Sequence, residues 1–204
     1  MSSKKIYIVR HGQTDYNLRG VVQGSGIDAP LNETGRKQAA AFFEQNRHIP
    51  FDLVYYSGLI RTKQSIQPFL EMGIPGLSLP DLNEISWGKY EGIPMDENGH
   101  QHYQTMLNRW SEGQLDYRIE GGESPLEVSH RLSRAIDHIT GNGGENILVC
   151  MHGRAIRILM CLLLGKPLHE MDYFQHQNLC CYQLDYKGGD LYELIGYRGS
   201  PIHQ

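Results

Sequence analysis

The chain has 204 residues, which fits one compact domain with some elaboration better than two large domains. Hydrophobic residues make up 40% of the sequence, and 23 glycines and 9 prolines are too few for a low-complexity chain. The formal net charge is −4, whereas a domain that holds a nucleic-acid backbone normally carries a clear basic excess. These figures exclude a largely disordered chain, and they disfavour nucleic acid and anionic membranes as main partners. Ten histidines stand out, because imidazole titrates near neutral pH and often acts as a nucleophile or metal ligand.

The sequence shows no signal of secretion or membrane insertion. The apolar run Ile6–Val9 is far shorter than the roughly 7 to 15 residues of a signal-peptide core. The longest apolar run, Ile158–Leu164, is far shorter than the ~18 residues that suggest a membrane span. Four cysteines occur without a Cys-x-x-Cys pair, at Cys150, Cys161, Cys180 and Cys181. We expect a soluble, cytoplasmic protein whose thiols are reduced and mostly buried.

The first half of the chain alternates strand and helix patterns. The predicted elements are a strand at Lys5–Val9, a helix at about Asn32–Arg47, a strand at Leu53–Tyr56 and a helix at about Leu59–Met72. Gly12 ends the first strand, and Asn32 and Thr34 are residues that commonly cap a helix. Gly73, Pro75, Gly76 and Pro80 then break the chain.

The second half continues the alternation after Leu82–Trp87. The predicted elements are an irregular, partly helical segment at Asp96–Gly113, a helix from Ser124 to Gly141, a strand at Asn146–Met151, a helix at Arg154–Leu164 and strands at Leu179–Tyr186 and Leu191–Tyr197. Ser124 and Glu127 have the spacing of a capping box. Strands alternating with helices predict a three-layer α/β/α sandwich with a mostly parallel central sheet and an antiparallel edge. No clear linker interrupts residues 1–204, so we expect a single domain.

Polar residues follow three of the predicted strands at the point where each strand ends. Arg10 and His11 precede a glycine after the first strand, and His152 precedes Gly153 after a later one. Arg61 follows the strand between them in sequence. The carboxyl ends of parallel strands share one edge of a sheet, where ligands bind. Two guanidinium groups, two imidazoles and glycine-flanked amides suit a tetrahedral dianion, so a phosphoryl group is the predicted ligand.

Each of these residues also has an ordinary structural interpretation. A histidine at a strand end is more often a satisfied structural residue than a nucleophile, and an arginine one turn into a helix usually lies on the surface. His100 and His102 suggest a metal site, but a third ligand at a recognised spacing is missing, so a solvated segment is the favoured interpretation. The joint pattern at three strand ends is harder to explain by chance.

The run Arg10-His11-Gly12-Gln13-Thr14-Asp15-Tyr16-Asn17 resembles the signature of the histidine phosphatase superfamily, also called the phosphoglycerate mutase-like family. Further motifs follow in the family's order, at Gln23-Gly24, at Ser57 to Ser65 with Arg61, at Leu82 to Gly92 with Glu84, and at His152-Gly153. The resemblance covers about residues 5–200. It implies a phosphoglycerate mutase-like fold and a phosphoryl-transfer enzyme that requires neither metal nor cofactor.

The resemblance also implies a role for each matching residue. His11 attacks phosphorus and forms a phosphohistidine, for which it must be neutral, and its other ring nitrogen should donate to a backbone carbonyl. Arg10, Arg61 and His152 stabilise the charge on the phosphoryl oxygens. Glu84 protonates the departing alkoxide and then activates water, although Asp81, Glu91 and Glu97 are nearby carboxylate alternatives. Binding residues complete the predicted site, namely Asn17, Gln23, Gly24 and Gly153.

The family contains both phosphatases and mutases. Mutases tend to have a longer insertion between the acid and the second histidine, whereas Glu84 and His152 are only 68 residues apart here. Mutases also tend to carry a glutamate where this chain has Gln13 and an arginine where it has Ile85. These departures favour a phosphomonoesterase. A phosphoglycerate mutase and a catalytically inactive binding relative remain the alternatives.

The substrate class beyond a small phosphorylated metabolite stays open. We expect residues 87–122 to cap the crevice as a substrate-capping insertion, and its aromatic residues to pack for the most part. The edge strand and helix faces could support a homodimer, which leaves no signature in the sequence.

Overall fold

The computed structural model describes residues 4–201 and shows a six-stranded sheet between two layers of helices. The strands are β1 (Lys4–Arg10), β2 (Leu53–Tyr56), β3 (Gly76–Ser78), β4 (Asn146–Met151), β5 (Cys181–Gly188) and β6 (Leu191–Arg198). The helices are α1 (Asp15–Leu18), α2 (Glu33–Asn46), α3 (Ile60–Glu71), α4 (Glu97–Ser111), α5 (Pro125–Gly141) and α6 (Gly153–Leu163). Three short 3₁₀ turns lie at Pro80–Leu82, Gly88–Tyr90 and Leu168–Tyr173.

The sheet order is β3-β2-β4-β1-β5-β6. The β2–β3, β2–β4 and β1–β4 pairs are parallel, whereas β1–β5 and β5–β6 are antiparallel. The predicted mostly parallel sheet with an antiparallel edge is therefore confirmed. Strand β3 was not predicted, because its three residues lie between the glycines and prolines that the sequence pattern marks as a break.

The two faces of the sheet bury two separate apolar clusters. On one face, Phe42 of α2 and Phe69 of α3 pack with Tyr7, Val54 and Leu148 of the strands. On the other face, α5 and α6 supply most of the side chains packed against the sheet, and α4 adds Met106 and Trp110. The alternation of inward and outward side chains along each strand gives each helical layer its own apolar surface.

Segment 96–113 is more regular than its sequence indicated. It forms the 15-residue helix α4, which Asp96 caps by accepting a hydrogen bond from the Gly99 N–H. Two buried side chains, Met106 and Trp110, are four residues apart and anchor the helix to the core. The described part of the chain contains no helix both long and apolar enough to cross a bilayer.

Candidate active site

The two strand-end histidines lie side by side because β1 and β4 are adjacent and parallel. Arg10 is level with Met151 in the sheet register, and the next residues are His11 and His152. Their ring centroids are 5.1 Å apart. The sheet topology thus brings together two residues that are distant in sequence.

His11 is buried and holds its ring in one orientation. Its Nδ1 donates to the Gly12 carbonyl oxygen at 2.7 Å, which is the predicted hydrogen bond. Because the carbonyl can only accept, Nδ1 carries the proton and Nε2 keeps a lone pair. Burial, followed by the positive charges of Arg61 and Arg10, holds the pKa of His11 well below its ordinary value. His11 is therefore neutral and lines a cavity of about 340 Å³.

His152 uses both ring nitrogens within the protein. Arg61 Nε donates to its Nδ1 at 3.3 Å, so Nε2 carries the proton and donates to Ser57 Oγ at 2.7 Å. Burial and then the charge of Arg61 lower the pKa of His152 well below its ordinary value. The sequence interpretation required a neutral His11 and assigned His152 to the stabilisation of charge on the phosphoryl oxygens. In the structure both are neutral, and the positive charge comes from the guanidinium groups.

The two arginines occupy different depths. Arg10 lines the cavity, its Nη1 donates to the His176 carbonyl, and its buried Nε has no hydrogen-bond partner among residues 4–201. Arg61 is fully buried behind the cavity wall, where its Nη1 and Nη2 donate to the carbonyls of Ile27 and Gly24 at 2.6 and 3.1 Å. Burial lowers the pKa of Arg61 to about 10, so the group stays charged at neutral pH. Its direct contact with phosphoryl oxygens stays a prediction.

Glu84 lies at the amino terminus of α6. Its Oε2 accepts from the Arg154 N–H at 3.0 Å, and its Oε1 accepts from the N–H groups of Ala155 and Ile85, each at 2.9 Å. These donors hold the buried carboxyl in one orientation on the cavity wall. Arg131 fixes the chain around it by donating to the Glu84 carbonyl and to those of two preceding residues.

The competing carboxylates are engaged elsewhere. Asp81 pairs with Arg134, and Glu91 accepts from the N–H groups of Gly26 and Trp87. Neither they nor Glu97 line the cavity. Of the four carboxylates considered in the sequence, Glu84 alone borders the cavity.

The predicted binding residues divide into cavity and support positions. Asn17, Gln23 and Gly153 line the cavity, whereas Gly24 does not. Gln23 Oε1 accepts from Thr14, and its buried Nε2 has no hydrogen-bond partner in the described chain. A Cβ on Gly153 would lie 3.3 Å from Arg10 Nε, so this glycine lets the guanidinium pack against the first turn of α6. A Cβ on Gly24 would lie 2.1 Å from the Glu91 carboxylate.

Several cavity residues were not among the predicted site residues, and those with polar side chains are Arg154, His176, Asn178 and Tyr16. Asn178 Nδ2 donates to the His11 carbonyl at 3.0 Å, and it reaches Asn17 Oδ1 at 3.3 Å. Burial and the charge of Arg10 lower the pKa of His176 to about 3. Two of them adjoin recognised motifs: Tyr16 lies within the Arg10–Asn17 run, and Arg154 directly follows His152-Gly153.

His102 does not belong to a solvated segment, contrary to the favoured sequence interpretation. It is half-buried, and its Nδ1 and Nε2 contact the hydroxyls of Tyr90 and Tyr117 at 2.8 and 2.9 Å. Residues 4–201 contain no group of three or more His, Cys, Asp and Glu side chains placed to hold a metal. Two members of segment 87–122, Trp87 and Tyr103, line the cavity, although most aromatic residues were expected only to pack.

The chain is similar to known proteins over almost its whole length. The model of the histidine phosphatase superfamily (branch 1) matches residues 6–194. A relative from Yersinia pestis (strain Pestoides F), named "Probable phosphoglycerate mutase GpmB", is 30% identical over 188 residues, covering 90% of this chain and 85% of the relative.

Solved structures show the same fold. A proposed alpha-ribazole-5'-P phosphatase from Escherichia coli K-12 matches with a TM-score of 0.81 at 26% identity and 94% coverage of both chains. A mycobacterial glucosyl-3-phosphoglycerate phosphatase in complex with VO3 matches with a TM-score of 0.80 at 25% identity, covering 97% of this chain and all of that one. Together with the family match, these likenesses establish that this chain belongs to the histidine phosphatase superfamily, whose members are phosphatases or mutases.

Proposed function

We propose that this protein is a metal-independent phosphomonoesterase that hydrolyses a small phosphorylated metabolite through a phosphohistidine on His11. One observation carries the proposal: His11 is neutral, its Nδ1–H is bonded to the Gly12 carbonyl, and the ring borders a cavity beside Arg10. A neutral imidazole with a fixed tautomer and a free Nε2 lone pair is the form that attacks phosphorus.

The reaction takes place in two displacements. In the first, the Nε2 lone pair of His11 forms a bond to phosphorus while the ester P–O bond breaks, and Glu84 donates a proton to the departing oxygen. In the second, Glu84 takes a proton from water, the water oxygen bonds to phosphorus, and the N–P bond breaks. Inorganic phosphate leaves, and both side chains return to their starting states.

Fixed charges and unused donors stabilise the phosphoryl oxygens. Arg10 Nε and Gln23 Nε2 are buried donors without a partner among the described residues, and a bound phosphoryl group would satisfy them. Arg61 adds a second guanidinium charge behind the histidines. These groups supply the positive charge that magnesium supplies in many other phosphoryl transfers.

The test is release of phosphate from phenyl phosphate in the presence of excess EDTA. Substitution His11→Ala should abolish turnover, whereas His48→Ala, which changes an exposed histidine in the turn after α2, should not. Rapid quenching should trap acid-labile, base-stable phosphate on the wild-type protein but not on His11→Ala. Full turnover by His11→Ala would refute the mechanism.

A phosphoglycerate mutase is the second candidate, because the Yersinia pestis relative carries that name. Gln13 and Ile85 depart from the mutase pattern, and the short interval between Glu84 and His152 leaves less chain for an acceptor site. A mutase would pass phosphate from a bisphosphate to a monophosphate with little loss to water. Failure to trap any phosphoenzyme would instead favour a catalytically inactive binding relative.

The proposed setting is the cytoplasm. All four cysteines are free and buried, and burial raises the pKa of each thiol, to about 11 for Cys161 and Cys180. Such thiols are protonated and unreactive at neutral pH, as in a protein that needs no disulfide.

A further inference from the structure

Arg154 lies beside the group that would protonate the leaving oxygen. Its backbone N–H donates to Glu84 Oε2 at 3.0 Å, and its side chain lines the same cavity. Because an acid must contact the ester oxygen that it protonates, Glu84 marks the side of the cavity where the alcohol part of the substrate lies. Arg154 therefore borders the space for that alcohol.

The Arg154 side chain is held in place while part of its donor capacity stays unused. Its Nη1 donates to Asp172 at 2.6 Å, and its guanidinium carbon lies 5.9 and 5.5 Å from the ring centroids of Trp87 and Trp110. Nε and Nη2 make no hydrogen bond to any residue within the described range 4–201. A buried guanidinium with unused donors on a cavity wall is suited to bind an acceptor from the ligand.

One carboxylate serves two arginines on this side of the cavity. Asp172 is shared between Arg154 and Arg157. Arg154 therefore has more donors than its carboxylate partner takes up, and a ligand oxygen can accept from them.

The remaining wall of this part of the cavity is apolar or aromatic, with Val22, Trp87 and Tyr103. The rings of Trp87 and Tyr103 are 5.4 Å apart and tilted by 50°. Aromatic faces pack against the C–H faces of polyhydroxylated ligands, while guanidinium donors bind their hydroxyl oxygens.

We propose that Arg154 is the residue that determines specificity for the leaving group, and that the substrates are phosphate esters of uncharged polyhydroxylated alcohols such as sugars and polyols. The inference rests on the proposed phosphomonoesterase activity. In it, Nε and Nη2 of Arg154 donate to hydroxyl oxygens of the alcohol, which orients the ester oxygen toward Glu84.

The test compares kcat/KM for three esters in the full-length protein. Phenyl phosphate has no acceptor in its leaving group beyond the ester oxygen, glycerol 1-phosphate has uncharged hydroxyls, and 3-phosphoglycerate has a carboxylate on a skeleton of the same length. Substitution Arg154→Met should lower kcat/KM for glycerol 1-phosphate by about tenfold to a hundredfold, because hydrogen bonds to a charged donor are lost. It should lower kcat/KM for phenyl phosphate by less than about threefold.

Arg157→Met is the matched control. Arg157 lies on the same helix and shares Asp172, but it does not line the cavity. This variant should change kcat/KM for glycerol 1-phosphate and kcat/KM for phenyl phosphate by the same factor. Arg154→Lys keeps the charge but not the planar fork of donors. It should therefore also lower kcat/KM for glycerol 1-phosphate more than kcat/KM for phenyl phosphate.

If Arg154→Met lowered kcat/KM for glycerol 1-phosphate and for phenyl phosphate by the same factor, Arg154 would have only a structural role. A larger loss on 3-phosphoglycerate than on glycerol 1-phosphate would show that the acceptor is anionic, and would overturn the assignment to uncharged alcohols. Failure of the wild-type protein to hydrolyse phenyl phosphate would count against the proposed function itself. The ratio between esters therefore tests Arg154 separately from the proposed activity.

Discussion

Lowering the pH from about 7.5 to about 5.5 should reduce the free energy of unfolding by roughly 3 kcal/mol through His11 and His152 alone. The structure holds the pKa of both well below the ordinary value of 6.5, chiefly by burial and by the charge of Arg61. At every pH between the folded and unfolded pKa values, the unfolded chain binds more protons. Stability is therefore fully present above about pH 6.5 and is lost as the pH falls below it.

The magnitude follows from the cost of one pKa unit, about 1.36 kcal/mol. Between these two pH values, protonation of each histidine stabilises the unfolded chain by a little more than ~1 kcal/mol, while the folded ring stays neutral. His176, whose pKa is lowered to about 3, adds to the loss in the same direction. Carboxylates with lowered pKa, such as Asp52 and Glu127, contribute only near and below their ordinary values of 3.8 and 4.5.

Urea unfolding followed by tryptophan fluorescence at a series of pH values measures this slope. The variant His152→Asn cannot take up a proton at this position. It should therefore show about half of the pH dependence of the free energy of unfolding that His11 and His152 contribute together. His48→Asn, at an exposed position, should keep the full dependence. A free energy of unfolding that stays constant from about pH 7.5 to about 5.5 would refute the conclusion that His11 and His152 are buried and neutral. The same refutation would follow if both variants changed the pH dependence equally.

Three further predictions concern single positions. Ser57→Ala leaves the buried Nε2–H of His152 without its acceptor and should cost about 1–3 kcal/mol of stability, with a changed His152 tautomer signal in ¹⁵N NMR. Gly35→Ala would place a Cβ 2.1 Å from the Gln13 carbonyl oxygen and should destabilise the protein by about 1–3 kcal/mol in thermal unfolding. Glu84→Gln should lower kcat for an alkyl phosphate by about 10²- to 10⁴-fold, because the amide cannot supply the proton.

Each of these has a control. Ser78→Ala removes a hydroxyl that reaches only the Ser57 carbonyl at 3.4 Å, and should leave the His152 signal unchanged. Gly141→Ala adds a Cβ with nothing within 4 Å, so a loss as large as that of Gly35→Ala would contradict the steric argument. Glu84→Gln should lower kcat for p-nitrophenyl phosphate less than kcat for the alkyl ester, because the p-nitrophenolate leaving group needs no proton. An equal decrease in kcat for the two esters would argue against an acid role for Glu84.

Local sequence patterns predicted most of the elements correctly. Strands such as Asn146–Met151 and helices such as Pro125–Gly141 follow from continuous apolar runs, helical periodicity and the capping pair Ser124 and Glu127, all of which act over a few residues. The pattern failed where partners distant in sequence decide the outcome. Strand β3 forms because β2 offers it hydrogen-bonding groups, and α4 is regular because Met106 and Trp110 are buried against the core.

The sequence by itself determined that two histidines and an arginine follow parallel strands, because strand ends and the residues after them are read locally. Only the tertiary structure decided their division of labour. It places Arg61 behind His152, where the guanidinium donates to that ring and to loop carbonyls. Arg10 has a buried Nε at the cavity without a hydrogen-bond partner in the described chain. It also brings Arg154 beside Glu84. These relations depend on how loops distant in sequence close around the sheet edge, a distance and direction that no local pattern encodes.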